Sequence, residues 1–169
     1  MNAKTVARST TTNAKAERSH EKIVTVNRRA YHDYFIDEEV EAGVQLTGTE
    51  IKSIRDGRVN IRDAYARVER GEMFVYGMHI SPYEQAGQYF QHDPLRPRKL
   101  LLHRKQIEYL ERQTETKGFT LVPLRLVLRK GRAKMDIGLA RGKHGYDKRD
   151  ALAERDAKRE IEQGLRRRD

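Results

Sequence analysis

A two-residue hydrophobic alternation recurs through the middle of this chain and constrains its fold more than any other feature. Ala133, Met135, Ile137 and Leu139 alternate with Lys134, Asp136 and Gly138, as a strand with one buried face requires. Leu124, Leu126 and Leu128 alternate in the same way with Arg125, Val127 and Arg129, and Val40, Ala42, Val44 and Leu46 with Glu41, Gly43 and Gln45. Val24 and Val26 mark a shorter strand. Residues 64–69 and 73–78 flank Arg70-Gly71-Glu72, and Lys130-Gly131-Arg132 separates the last two strands, so both read as hairpins. Asp37-Glu38-Glu39 reads as a solvated turn rather than a magnesium site. His32-Asp33, taken as a dipeptide in a strand with its side chains on opposite faces, reads as local structure rather than half of a catalytic dyad. About six strands, each with one apolar face, predict a mainly β protein built as an antiparallel sheet or small barrel.

Two segments leave this period. Ile51 and Ile54, with Thr49 as N-cap and Gly57 as stop, predict a short helix over 49–56. Ile107 and Leu110, with Gly118 beyond, predict a second over 103–116. Residues 85–99, with Gly87, Pro94 and Pro97, read as a long irregular loop.

Charge is distributed inversely to hydrophobicity. The 169 residues include 35 Lys or Arg and 25 Asp or Glu, a net charge of +10. Residues 1–29 carry +5, 30–140 carry +2 and 141–169 carry +3. Three parts follow: a disordered basic arm over 1–22, a barrel domain over 23–140, and a basic tail over 141–169. In the tail Ala153, Ala157, Ile161 and Leu165 recur every four residues, and Glu154–Lys158 and Lys158–Glu162 are favourable i,i+4 pairs. Two large apolar side chains cannot dock such a helix firmly, so the tail is expected to be disordered alone and helical in a polyanionic groove.

The chemistry for catalysis is absent. There is no cysteine, no phosphate-binding glycine loop and no paired histidine motif, so neither an enzyme nor a bound cofactor or metal is expected. No apolar run reaches membrane-spanning length and no secretory leader is visible, which points to the cytoplasm. Excess positive charge favours nucleic acid as partner. Lys52 and Arg55 share one face of the first helix with Arg58 just beyond, and Arg96, Arg98 and Lys99 sit on the Pro-bounded loop, where they can reach phosphates. A structural ribosomal protein with a small basic barrel and arms fits these features.

Specific motifs narrow the choice. Residues 27–34 (Asn-Arg-Arg-Ala-Tyr-His-Asp-Tyr), Glu41-Ala42-Gly43 and residues 48–55 (Gly-Thr-Glu-Ile-Lys-Ser-Ile-Arg) resemble the opening of the bacterial SsrA-binding protein family, SmpB. Asp93-Pro94, residues 98–102 (Arg-Lys-Leu-Leu-Leu), residues 138–143 (Gly-Leu-Ala-Arg-Gly-Lys) and Tyr146-Asp147-Lys148-Arg149 continue the likeness in order. The resemblance implies a six-stranded barrel related to the oligonucleotide-binding fold with short packed helices. It also implies an adaptor, expected to be monomeric, that binds the tRNA-like domain of transfer-messenger RNA and delivers it to stalled ribosomes. Family RNA-binding positions match Asn27, Glu41 and Leu101, and Arg28, Lys52, Arg55, Arg98 and Lys99 are expected to add positive charge. Glu41 can accept hydrogen bonds from RNA or orient a nearby arginine. The resemblance sends the tail into the decoding site and the empty message channel, with Lys143, Tyr146, Asp147, Lys148, Arg149, Arg155, Lys158, Arg159 and Ile161 as its contacts. Tyr146 stands where the family often has His, so it keeps a stacking face.

Overall fold

A computed structural model describes residues 21–143 and 152–159. Among these, β1 (Glu21–Val26) leads through helix α1 (Arg28–Asp33) into the long β2 (Tyr34–Val44) and helix α2 (Gly48–Arg55). There follow β3 (Val59–Asn60), β4 (Tyr65–Glu69), β5 (Glu72–Tyr76), β6 (His79–Ile80) and β7 (Arg98–Leu101). Helix α3 (Arg104–Lys117) precedes the final hairpin of β8 (Thr120–Arg129) and β9 (Arg132–Gly142). A last helix, α4, covers residues 152–159 and is exposed along its length.

The main sheet runs β1-β8-β4-β5-β7-β2-β9, and β9 also pairs with β8. That extra pairing closes six strands into an antiparallel barrel. Closure removes the free edges that an open sheet would present. The predicted count of six is met by a different membership. Strand β7, read as loop, belongs to the ring, whereas β1 lies beside it. One edge of β8 is shared: β4 meets it at Ala66–Leu121, and β1 meets its other half from Arg125 to Arg129.

Local turn chemistry explains both hairpins. Each has a two-residue loop, Arg70-Gly71 and Lys130-Gly131, with φ of 51° and 76° in the first and 51° and 75° in the second. Positive φ at both central positions matches the right-handed strand twist, and glycine takes the second at no steric cost. Ala42, Ile54, Met73, Val75, Leu100, Leu126, Met135 and Ile137 fill the barrel interior.

Several sequence expectations are corrected. Asp37-Glu38-Glu39 is no turn, because β2 runs through it with a register shift between Ile36 and Glu38. A bulge here lets a polar run stay in the strand. A second shift, between Pro123 and Arg125, moves Leu124 off the face of Leu126 and Leu128. Leu124 instead joins Val122, Ala30 and Ala140 in a small outer core beneath α1. Gly138 makes room for it: a Cβ there would stand 2.9 Å from Leu124 Cδ1. His32 and Asp33 close helix α1 rather than a strand. The N-cap of α2 is Thr47 rather than Thr49, and its N–H donates to Glu50 Oε2 at 2.8 Å.

Candidate nucleic-acid interface

Alternation along β2, β7 and β9 decides which side chains face outward. Gly43 pairs with Leu101 on one side and with Lys134 on the other. Glu41 lies two residues before Gly43 and Lys99 two before Leu101, so all five positions share the outer face. Leu101 is half exposed, and its side chain lies against Gly43, where a Cβ would come within 3.3 Å of Leu101 Cβ. Lys99 is ion-paired with Glu72.

The β8–β9 hairpin extends this face. Glu41, Arg129, Lys130, Arg132 and Lys134 line a concavity of about 490 Å³. Lys22 Nζ donates to Arg55 O at 3.2 Å, and Arg55 Nη2 lies 3.8 Å from where a Cβ on Gly131 would stand. The end of α2 and the start of β1 therefore meet the hairpin turn. Among the described residues, Arg55, Arg132 and Lys134 have no carboxylate partner, so their charge remains directed at solvent. Sequence reading passed over Arg129, Lys130, Arg132 and Lys134 as a turn with its flanks, although four cations within six residues were a usable signal.

A second concavity of about 520 Å³ lies at the β1–α1 corner, lined by Arg28, Arg29, His32 and Arg62 among others. Asn27 forms its floor but is buried, and its side chain is fully used inside the protein. Its Nδ2 donates to Ile61 O at 3.1 Å and Pro123 O at 3.0 Å, and its Oδ1 caps α1 by accepting from Ala30 N at 3.1 Å. Arg28 is exposed on the first turn of α1. Lys52 stands 5.4 Å from the Tyr83 ring centre, a cation–π contact on the loop side of α2.

Arg98 does not sit on a flexible loop. It opens β7 and is fully buried, its Nε donating to Glu50 Oε1 at 2.9 Å and its Nη2 to Pro94 O at 3.1 Å and Asp93 O at 3.3 Å. Its Nη1 donates to Met78 O. Arg96 closes the fork on Glu50 at 2.8 and 2.6 Å. Burial alone would raise the Glu50 pKa, but hydrogen bonds from Arg96, Thr47 N–H and Arg98 override it and hold the carboxyl at about 2. For Arg98, burial prevails over Glu50 and lowers its pKa. This guanidinium clamps α2, β7 and the loop together and is not available to a partner.

Lys143 is held to the barrel: its N–H donates to Asp33 O at 2.9 Å, its Nζ to Tyr31 O at 3.2 Å, and its charge sits 4.9 Å from the Phe35 ring centre. Barrel contacts therefore run from Glu21 to Lys143, slightly beyond the 23–140 expected. Arg155, Lys158 and Arg159 are exposed on α4. Tyr146, Asp147, Lys148, Arg149 and Ile161, and nearly all of the 1–22 arm, lie outside the described residues. Among those described, no group of three or more acidic or histidine side chains is placed to hold a metal, and no helix is long and apolar enough to cross a membrane.

Comparison with known proteins completes the picture. Residues 24–167 match the SmpB protein family. This chain belongs to the SmpB family. A SsrA-binding protein of Roseiflexus sp. (strain RS-1) is 60% identical over 148 residues, covering 88% of this chain and 94% of that one. Another, from Desulfitobacterium hafniense (strain DSM 10664 / DCB-2), is 59% identical over 145 residues, covering 86% and 92%. A solved chain from a study of tmRNA–SmpB at the center of the bacterial ribosome is 46% identical with a TM-score of 0.61, covering 77% of this chain and 94% of that one.

Proposed function

We propose that this SmpB-family chain is an RNA-binding adaptor, not an enzyme. It binds the tRNA-like domain of transfer-messenger RNA and delivers it to stalled ribosomes for trans-translation, acting as a monomer in the cytoplasm. The observation that carries this reading is the outer face on which Glu41 and Leu101, far apart in sequence, adjoin through Gly43, within a chain of the SmpB family. Lys99 and Lys134 continue that face, and Arg55 adds charge at its hairpin end. Arg28 and Lys52 contribute from the neighbouring corner and loop. Asn27 and Arg98 act indirectly, by holding the elements that carry these groups. The tail, from Tyr146 through Asp147, Lys148 and Arg149 to Arg155, Lys158, Arg159 and Ile161, enters the decoding site and message channel.

The test separates the two parts. Ending the chain after Lys143 leaves transfer-messenger RNA binding within about twofold, because phosphate contacts on the barrel dominate affinity, and abolishes peptide transfer on ribosomes stalled at a message end. Proline at Ala157, inside α4, costs about 3 kcal/mol of helix stability and blocks transfer without changing charge. Equal loss of RNA binding and transfer in the truncated protein contradicts the division of labour. Co-purification with whole ribosomal subunits at full stoichiometry, instead of with transfer-messenger RNA, identifies a structural ribosomal protein.

A further inference from the structure

Glu41 presents a puzzle. A carboxylate on the wall of a basic concavity repels the phosphates that the concavity attracts. Its two oxygens, however, are taken by a single guanidinium: Arg129 Nη1 donates to Oε1 at 3.0 Å, and Arg129 Nη2 lies 2.9 Å from Oε2. Glu21, nearly buried on β1, accepts from the same Nη2 at 3.1 Å. Carboxylates from β1 and β2 thus grip an arginine from β8.

Hydrogen bonds occupy one hydrogen of Nη1 and one of Nη2, and the second Nη2 contact, to Glu41 Oε2, is an ion pair. Of the five N–H groups of a guanidinium, the second on Nη1, the second on Nη2 and the Nε–H make no hydrogen bond among the described residues. The Nε is buried without a hydrogen-bond partner among the described residues, so a ligand can meet this guanidinium only through its terminal nitrogens. Around it, Lys130, Arg132 and Lys134 line the same concavity, with no aromatic ring among the lining residues. Point charges and a fixed fork, without a stacking surface, select phosphate oxygens rather than bases.

We propose that Arg129 binds a backbone phosphate of the RNA, assisted by Arg132 and Lys134, and that Glu41 is its positioning residue rather than an RNA ligand. The inference rests on the adaptor function proposed above. An arginine side chain otherwise samples many rotamers, and the two carboxylates fix it before RNA arrives.

The experiment titrates full-length protein with transfer-messenger RNA at several salt concentrations, with folding checked by circular dichroism and thermal melting. Arg129→Ala weakens binding about tenfold and lowers the slope of log affinity against log salt by about 0.7 to 0.9, one phosphate contact. Arg129→Lys keeps the slope and recovers only part of the affinity. Glu41→Gln weakens binding several-fold although it removes a negative charge facing a polyanion, and it has no further effect in the Arg129→Ala background. Tightening by Glu41→Gln overturns the proposal, and so do additive losses in the double variant. If Arg129→Ala fails to fold, Arg129→Lys with and without Glu41→Gln decides by the same additivity criterion. Wild-type protein that does not prefer transfer-messenger RNA over an unrelated RNA of equal length overturns the adaptor reading itself. Normal preference with wild-type affinity in every variant overturns only the roles of Arg129 and Glu41.

Discussion

Arg98 and Arg129 each grip carboxylates supplied by distant parts of the chain, yet one guanidinium is sealed in the barrel wall and the other lies at the rim. Arg98 and Glu50 are both fully inaccessible, and each of the three guanidinium nitrogens of Arg98 donates to an oxygen inside the protein. Arg129 lines a concavity of other cations, and its partner Glu41 is more than a third exposed. The same ion-pair chemistry therefore serves folding in one place and recognition in the other. Burial decides which. A sealed pair becomes costly the moment one partner is removed, whereas an exposed pair contributes little to stability and is free to engage a ligand.

This contrast is most open to disproof at its buried end. Glu50→Ala strands the Arg98 charge in the core and lowers unfolding free energy by about 3–5 kcal/mol, read by chemical denaturation. Acid offers a second route to the same cluster. The folded carboxyl of Glu50 sits at about 2, against an ordinary value of 4.5. A depressed folded pKa gives stability that is present above pH 4.5 and lost as the pH falls toward 2, about 3 kcal/mol in all. Denaturation midpoints measured between pH 6 and 2 should show this drop, and Glu50→Gln should flatten it. Arg96 is the partly exposed third member, so Arg96→Ala should cost less, about 1.5–3 kcal/mol. Glu41→Ala closes the series at under about 1 kcal/mol, because the Glu41 carboxylate is more than a third exposed and Arg129 keeps its bond to Glu21.

The two clusters also differ in what the sequence could reveal of them. Hairpins were readable because Arg70-Gly71 and Lys130-Gly131 carry their own turn chemistry within two residues. Helix α3 was readable for the same reason, with Ile107 and Leu110 inward and Gly118 in the left-handed region at its end. Both arginine clusters join partners far apart in the chain, Glu50 to Arg98 and Glu41 to Arg129, and no local pattern announces such pairs. Arg98 therefore read as a loop cation beside two prolines, when it is the central clamp of the core. Period-2 counting failed wherever a bulge shifted the register, as at Leu124 and at Asp37 to Glu39. Glu41 and Leu101 came from family resemblance, and only the pairing of Gly43 with Leu101 shows that they adjoin.

The most direct test compares matched variants at the two clusters, Glu50→Gln and Glu41→Gln, in one preparation. For each, unfolding free energy and affinity for transfer-messenger RNA are measured under the same buffer and salt. The account predicts that Glu50→Gln loses stability while the molecules that remain folded bind RNA normally, and that Glu41→Gln keeps its stability and loses several-fold in affinity. Parallel losses of stability and affinity in both variants would contradict it.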